Sequence, residues 1–133
     1  MKQCRKCGVS KSHTEFTIDR KKPDSLYSYC RDCSRIKGRR LYRRLREEVL
    51  DHYGKVCACC GEDRYEFLSI DHVDGGGNAH RREIGNPSVF CRWLKKNGLP
   101  IGYRVLCMNC NHAIGRYGYC PHDLSTGVIN RLG

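Results

Sequence analysis

No stretch of this 133-residue chain approaches the roughly 18 consecutive apolar residues that a membrane-spanning helix needs, so no membrane partner is expected. The start, MKQCRKCGVSKSH, is basic but has no apolar segment behind it, which argues against a secretory leader. Acidic residues are few: 14 Asp and Glu stand against 25 Lys and Arg, for a formal charge of +11, and no long run is acidic. A field of that sign draws polyanions, which makes nucleic acid the default partner, although a merely soluble basic protein shows the same balance. Also missing is the βαβ pattern of a thioredoxin-like redox fold. No Gly-Lys-Ser/Thr follows Gly75 to Gly77, which excludes a nucleotide-binding P-loop there.

Cysteine is what the chain has in abundance, with 11 residues. A secreted chain would use them as a disulfide framework. Without a leader the expected location is the cytoplasm, where thiols stay reduced and paired cysteines more often hold metal. The length suits one domain, or two very small modules if something besides an apolar core holds each together.

Four pairs have the C-x2-C spacing: Cys4/Cys7, Cys30/Cys33, Cys57/Cys60 and Cys107/Cys110. Two intervening residues let a tight turn aim both sulfurs at one tetrahedral ion, so two structural Zn²⁺ sites are expected. Sequential pairing puts 22 residues between the halves of the first set and 46 between those of the second. Gly8 and Gly61 each follow a knuckle, where a turn with positive φ suits glycine. Cys59 leaves the second set ambiguous, because CACC also contains a C-x-C pair, while Cys91 and Cys120 are spare and read as small packed thiols. His122 either packs against the core or pairs with Cys120 on a further metal, for which no second pair of ligands is evident. Eight thiolates and two Zn²⁺ lower the formal charge only to about +7. Each site would contribute on the order of 10 kcal/mol to modules too short to fold on apolar burial alone.

The organisation follows from these pairs: a zinc knuckle over 1–38, a basic linker helix over 39–54, a second zinc module over 55–122 and a loosely ordered tail over 123–133. In the linker, Leu41, Leu45 and Val49 recur at helical spacing, with Gly54 as the stop. Arg39, Arg40, Arg43, Arg44 and Arg46 crowd its first half and suit tracking of a phosphate backbone, or simply face solvent. The second module reads as strand (FLSIDHV), insertion, strand (YRVLC) and helix. Within the insertion GNPSVFCRWLKKNGLP is a short helix with Pro87 at its first position and Trp93 on its apolar face. From Asn111, NHAIGRYG has room for a turn or two of helix before its glycines.

This order places Asp71-His72 at the end of the first strand and Asn111 just after the last paired cysteine. It resembles the ββα-metal (His-Me finger) core of HNH endonucleases, most closely the branch similar to phage recombination endonuclease VII. The resemblance covers about residues 55–122, and the CRKCG…YCRDC knuckle resembles modules placed ahead of such cores in phage proteins. It implies a small α+β fold: a zinc-stabilised ββα-metal core preceded by a zinc knuckle and a basic helix. It further implies a DNA endonuclease in which His72 is the general base, and Asp71 and Asn111 hold a catalytic Mg²⁺ or Mn²⁺. The products would carry 5′-phosphate and 3′-hydroxyl ends.

Elementary chemistry fits the same roles. An imidazole with a pKa of about 6.5 can be neutral at physiological pH and still accept a proton. Carboxylate and amide oxygens are hard ligands for Mg²⁺, which acts on a phosphodiester as Lewis acid and template. One obstacle is geometric: adjacent strand residues point to opposite faces, so Asp71 and His72 share a site only if the strand bends or ends there. The middle Asn of the HNH motif has no clear counterpart, its place falling near Gly102, and Ile114 and Gly115 stand where the family often has another polar residue. His112, beside Asn111 on a helix, should point elsewhere. His80, Arg81 and Arg82 either contact substrate phosphate or face solvent. A non-catalytic tandem zinc module that binds DNA or RNA is the alternative, and an RNA nuclease with the same chemistry a weaker third.

Overall fold

The computed structural model describes residues 1–126, with side chains through 123. It divides into two compact units, and the boundary between Arg44 and Leu45 falls inside a helix. Most of the tail expected over 123–133 lies outside the described residues.

In the first unit, β1 (Lys2–Gln3) and β2 (Ser10–Lys11) pair antiparallel and flank the first C-x2-C turn. A 3-10 turn at His13–Glu15 leads into β3 (Phe16–Ile18), which pairs with β4 (Leu26–Cys30). Two aspartates shape the connection: Asp19 Oδ1 accepts from the Lys21 amide and Asp24 Oδ1 from the Leu26 amide, each at 3.1 Å. The buried core here is only Cys4, Phe16 and Cys30, with Leu26, Tyr29 and Cys33 packed against it. A single large apolar side chain among cysteines cannot hold a module of this size, so the cysteines must contribute more than packing.

Helix α1 (Arg31–His52) starts directly behind Cys30 rather than at residue 39, so Cys33 and Gly38 are helical. Nothing in RDCSRIKG stops it, since an interior glycine costs only about 1 kcal/mol. The expected apolar stripe is real only in the second half. Val49 and Leu50 are buried, whereas Ile36 and Leu41 are more than half exposed.

The second unit pairs β5 (Leu68–His72) with β6 (Tyr103–Cys107) antiparallel, from Leu68↔Cys107 to His72↔Tyr103. Between them lie α2 (Gly77–Ile84) and α3 (Pro87–Lys96), packed on each other. The sequence gives α3 away: Asn86 caps it by accepting from the Ser88 and Val89 amides at 3.1 and 3.2 Å, with Pro87 at its first position. By contrast, α2 was not anticipated, having no side-chain cap and starting inside the glycine run. Helix α4 (Met108–Tyr117) packs on both strands; it starts three residues before Asn111 and makes about two turns from there, as expected. Cys107 caps it, its Sγ accepting from the Cys110 amide at 3.4 Å, and the helix carries through Gly115 to Gly118, where φ is +79°. The core consists of Leu50, Leu68, Val105 and Leu106 together with Cys57, Cys107, Cys110 and Cys120. Among the described residues no helix is long and apolar enough to cross a membrane.

Candidate metal centres and active site

The two knuckles are built alike. Gly8 donates to the Cys4 carbonyl at 2.8 Å and Gly61 to that of Cys57 at 2.9 Å. The Cys4 amide returns to Val9 at 3.0 Å and the Cys57 amide to Glu62 at 2.8 Å. Both glycines have the expected positive φ, +74° and +79°. In each turn backbone amides also converge on the first sulfur. Burial pushes the Cys4 thiol up, but the amides of Cys30, Cys7 and Lys6 outweigh it and bring the pKa down to about 6. Cys57 is likewise brought to about 6, against its burial, by the amides of Cys107, Cys60 and Cys59. A sulfur held as thiolate by fixed donors is prepared for a metal.

The ligand atoms of Cys4, Cys7, Cys30 and Cys33 all lie within 4.8 Å of one another, as do those of Cys57, Cys60, Cys107 and Cys110. The Cys60 and Cys107 sulfurs are 3.7 Å apart, close to the edge of about 3.8 Å in a tetrahedral zinc thiolate with 2.3 Å bonds. Both clusters can therefore hold zinc. A third group supplies the second pair of ligands that the sequence did not show for Cys120 and His122: Cys59, Cys110, Cys120 and His122 also converge within 4.8 Å. The signal was faint, because its members come from a knuckle, a helix and the segment of Cys120 and the turn after it at Pro121–Thr126. Cys91, in α3, is buried as a packed thiol would be.

Around Asp71 and His72 the strand does not bend. Asp71↔Arg104 and His72↔Tyr103 stay in register, and the Val73 amide still reaches the Gly102 carbonyl at 2.9 Å. The turn comes only at Gly75 and Gly76, where φ is +76° and +81°. Although β5 ends at His72, the two side chains take separate neighbours. Asp71 Oδ2 accepts from Arg104 Nε at 2.9 Å. On Asp71's side of β5, Asn111 Nδ2 donates to Ser69 Oγ at 2.9 Å, and that hydroxyl donates to the Leu106 carbonyl at 2.8 Å.

His72 faces the insertion. Its ring stacks on Phe90 with centroids 5.3 Å apart and meets the edge of Tyr103 at 4.9 Å. Its Nε2 lies 2.8 Å from His80 Nδ1, and His80 in turn packs edge-on to Trp93 at 4.5 Å. His80 is therefore turned toward His72 and Trp93. Arg81 and Arg82 remain exposed. The Nδ1 of His72 looks toward Gly77: a Cβ built there would stand 3.0 Å from it and 3.6 Å from Arg81 Nη2. Burial is the first cause holding the His72 pKa below its ordinary value, followed by His80; Asp71 opposes this and Arg81 adds to it. The neutral imidazole is thereby favoured.

An open cleft of about 510 Å³ runs beside this site, lined by Ser69, Asn78, Arg81, Asn111, His112 and Arg116 among others. It joins Asn111 to Arg81 and leaves His112 on the rim, exposed. On α1, Arg39, Arg40, Arg43 and Arg44 are exposed. Arg46 is not one of them, since its guanidinium donates to the carbonyls of Tyr65 and Leu68 and covers the Tyr65 ring. In the first unit a groove of about 470 Å³ lies between Tyr29, Ile36 and Leu41, edged by Lys6, Lys37, Arg40 and Arg44.

Compared with protein-family models, with curated proteins and with solved structures, the chain matches none.

Proposed function

We propose that this chain is a small, zinc-stabilised, divalent-metal-dependent endonuclease that hydrolyses DNA phosphodiester bonds, with β5, β6 and α4 serving as an HNH-type ββα-metal core. The observation that carries this reading is His72. Its imidazole is biased to neutrality, tied through Nε2 to His80, and turned with Nδ1 toward Gly77 and Arg81. Arg81 also lines the cleft that holds Asn111 and Arg116.

In this mechanism His72 Nδ1 takes the proton of a water whose oxygen attacks phosphorus. The P–O3′ bond breaks, leaving a 5′-phosphate, and the 3′ oxygen departs and takes a proton from solvent water to become a hydroxyl, while His72 releases its own proton to solvent. Arg81 and Arg116 hold the phosphate across the cleft. Asp71 through Oδ1 and Asn111 through Oδ1 would hold Mg²⁺ or Mn²⁺, which supplies charge neutralisation at the phosphoryl and leaving oxygens. The donor set fits: both are hard oxygens on one side of the hairpin, and magnesium commonly takes one or two protein carboxylates plus water and phosphate. The arginines of α1 and the Tyr29 groove support a grip on the duplex backbone, the cations on phosphates and the ring against sugar or base.

One observation favours a second reading, a non-catalytic zinc module that binds nucleic acid. Asp71 is already paired with Arg104 and does not share a face with His72. A Mg²⁺ titration of DNA cleavage by wild type, Asp71→Ala and Asn111→Ala separates the two. The nuclease requires both variants to shift the titration to higher Mg²⁺ or lose cleavage. Gel-shifted DNA without cutting at any Mg²⁺ concentration would establish the binding module instead.

A further inference from the structure

We propose that the second zinc region is a binuclear centre, in which two zinc ions share the Cys110 thiolate. One ion is completed by Cys57, Cys60 and Cys107, the other by Cys59, Cys120 and His122. This assignment is independent of the nuclease reading.

The argument is first one of number. The two groups comprise seven donors, and Cys110 is the residue common to both. Two four-coordinate ions need about eight donor positions, so seven suffice only if one ligand bridges. Cys110 is suited by position: it lies in the first turn of α4, fully buried, behind the Cys107 cap.

The distances agree. With zinc–sulfur bonds of about 2.3 Å and zinc–nitrogen bonds of about 2.05 Å, a tetrahedral S···N edge measures about 3.5 Å. His122 Nδ1 lies 3.3 Å from Cys110 Sγ, 3.2 Å from Cys120 Sγ and 3.9 Å from Cys59 Sγ. One imidazole nitrogen thus stands about a tetrahedral edge away from three sulfurs at once. Asp123 Oδ1 also approaches Cys59 Sγ, at 3.9 Å.

Local structure explains the arrangement. The Ala58 amide is fixed to the Val105 carbonyl at 2.9 Å, which anchors the knuckle between Cys57 and Cys59 on the hairpin. Gly118, with φ +79°, ends α4, and the following turn presents Cys120 and His122 together, its Asp123 amide closing on the Cys120 carbonyl at 2.9 Å. The second ion would staple the Cys120–His122 turn to α4 and to the knuckle.

Metal content and cadmium-113 NMR test this. Native mass spectrometry of the intact chain should count three zinc ions in wild type and in Cys91→Ala, and two in His122→Ala and Cys59→Ser. In wild type loaded with cadmium-113, two of three signals should split each other through the shared sulfur, and the third should stay single. The NMR arm needs no variant, so misfolding of a substituted chain cannot mask the answer. Two zinc ions in wild type would overturn the proposal. So would three cadmium signals without mutual splitting, since the sites would then be separate.

Discussion

Replacing Gly77 by alanine separates the stability of this fold from its proposed chemistry. Unlike Gly75 and Gly76, Gly77 does not have a left-handed φ, and it opens α2, so alanine suits its backbone. Helix propensity alone favours the change by up to about 1 kcal/mol. Against this, the new methyl would stand 3.0 Å from His72 Nδ1, a few tenths of an ångström inside ordinary contact. The ring cannot yield cheaply, because it is stacked on Phe90, bounded by Tyr103 and tied to His80. The two effects roughly cancel, and the net stability change should stay within about 1 kcal/mol. The same methyl occupies the space over Nδ1 where the attacking water must sit. Cleavage should therefore fall at least tenfold, about 1.4 kcal/mol of barrier, and toward the loss of about 10²–10⁴ expected for removing the base. Thermal unfolding, a DNA gel shift and single-turnover cleavage read the three quantities. A Gly77→Ala protein that folds, binds and cuts like wild type would refute the placement of the water at Nδ1.

Three further predictions follow from the same contacts. His80→Phe keeps the packing on Trp93 but loses the bond to His72 Nε2; at about 0.5–1.5 kcal/mol, cleavage should drop about twofold to tenfold, with His80→Asn restoring part of it. An unchanged rate in His80→Phe would remove the positioning role. Phe16→Ala empties the one large apolar position of the first core and should cost about 3–5 kcal/mol, read as loss of its protected amides in hydrogen exchange; retained protection would show that zinc alone holds the unit. Arg40→Ala and Arg44→Ala should each weaken DNA binding and reduce the slope of log K against log salt by about 0.9; an unchanged slope would mean that these side chains meet no phosphate.

What was legible in the sequence was what a few neighbouring residues determine. C-x2-C followed by glycine specifies the knuckle turn, Asn86-Pro87 the start of α3, and alternation the β5 and β6 strands. What stayed hidden depends on partners distant in the chain. The third cysteine group brings Cys59 and His122 together across more than sixty positions. His80 looked like one more basic residue beside two arginines, and only the packing of α2 on α3 turns it onto His72. Arg46 looked like its arginine neighbours, yet the carbonyls at Tyr65 and Leu68 claim it. The glycines after Asp71-His72 showed where the chain turns, at Gly75 and Gly76, but not that the ladder to β6 holds as far as Val73 and keeps the two side chains apart. The apolar period of α1 overstated its burial, since Leu41 keeps the spacing but stays half exposed beside Tyr29 and Ile36.

The most direct test of the nuclease is cleavage of supercoiled plasmid by zinc-loaded protein in Mg²⁺, in Mn²⁺ and in EDTA, with His72→Ala alongside. His72 touches none of the cysteine clusters, so the variant should fold and bind DNA as wild type does. Nicking by wild type in Mg²⁺ or Mn²⁺, absent in EDTA and reduced by about 10²–10⁴ in His72→Ala, is the expected result. Cutting by His72→Ala at the wild-type rate, or no cutting by wild type in either metal while both proteins shift DNA, would contradict it.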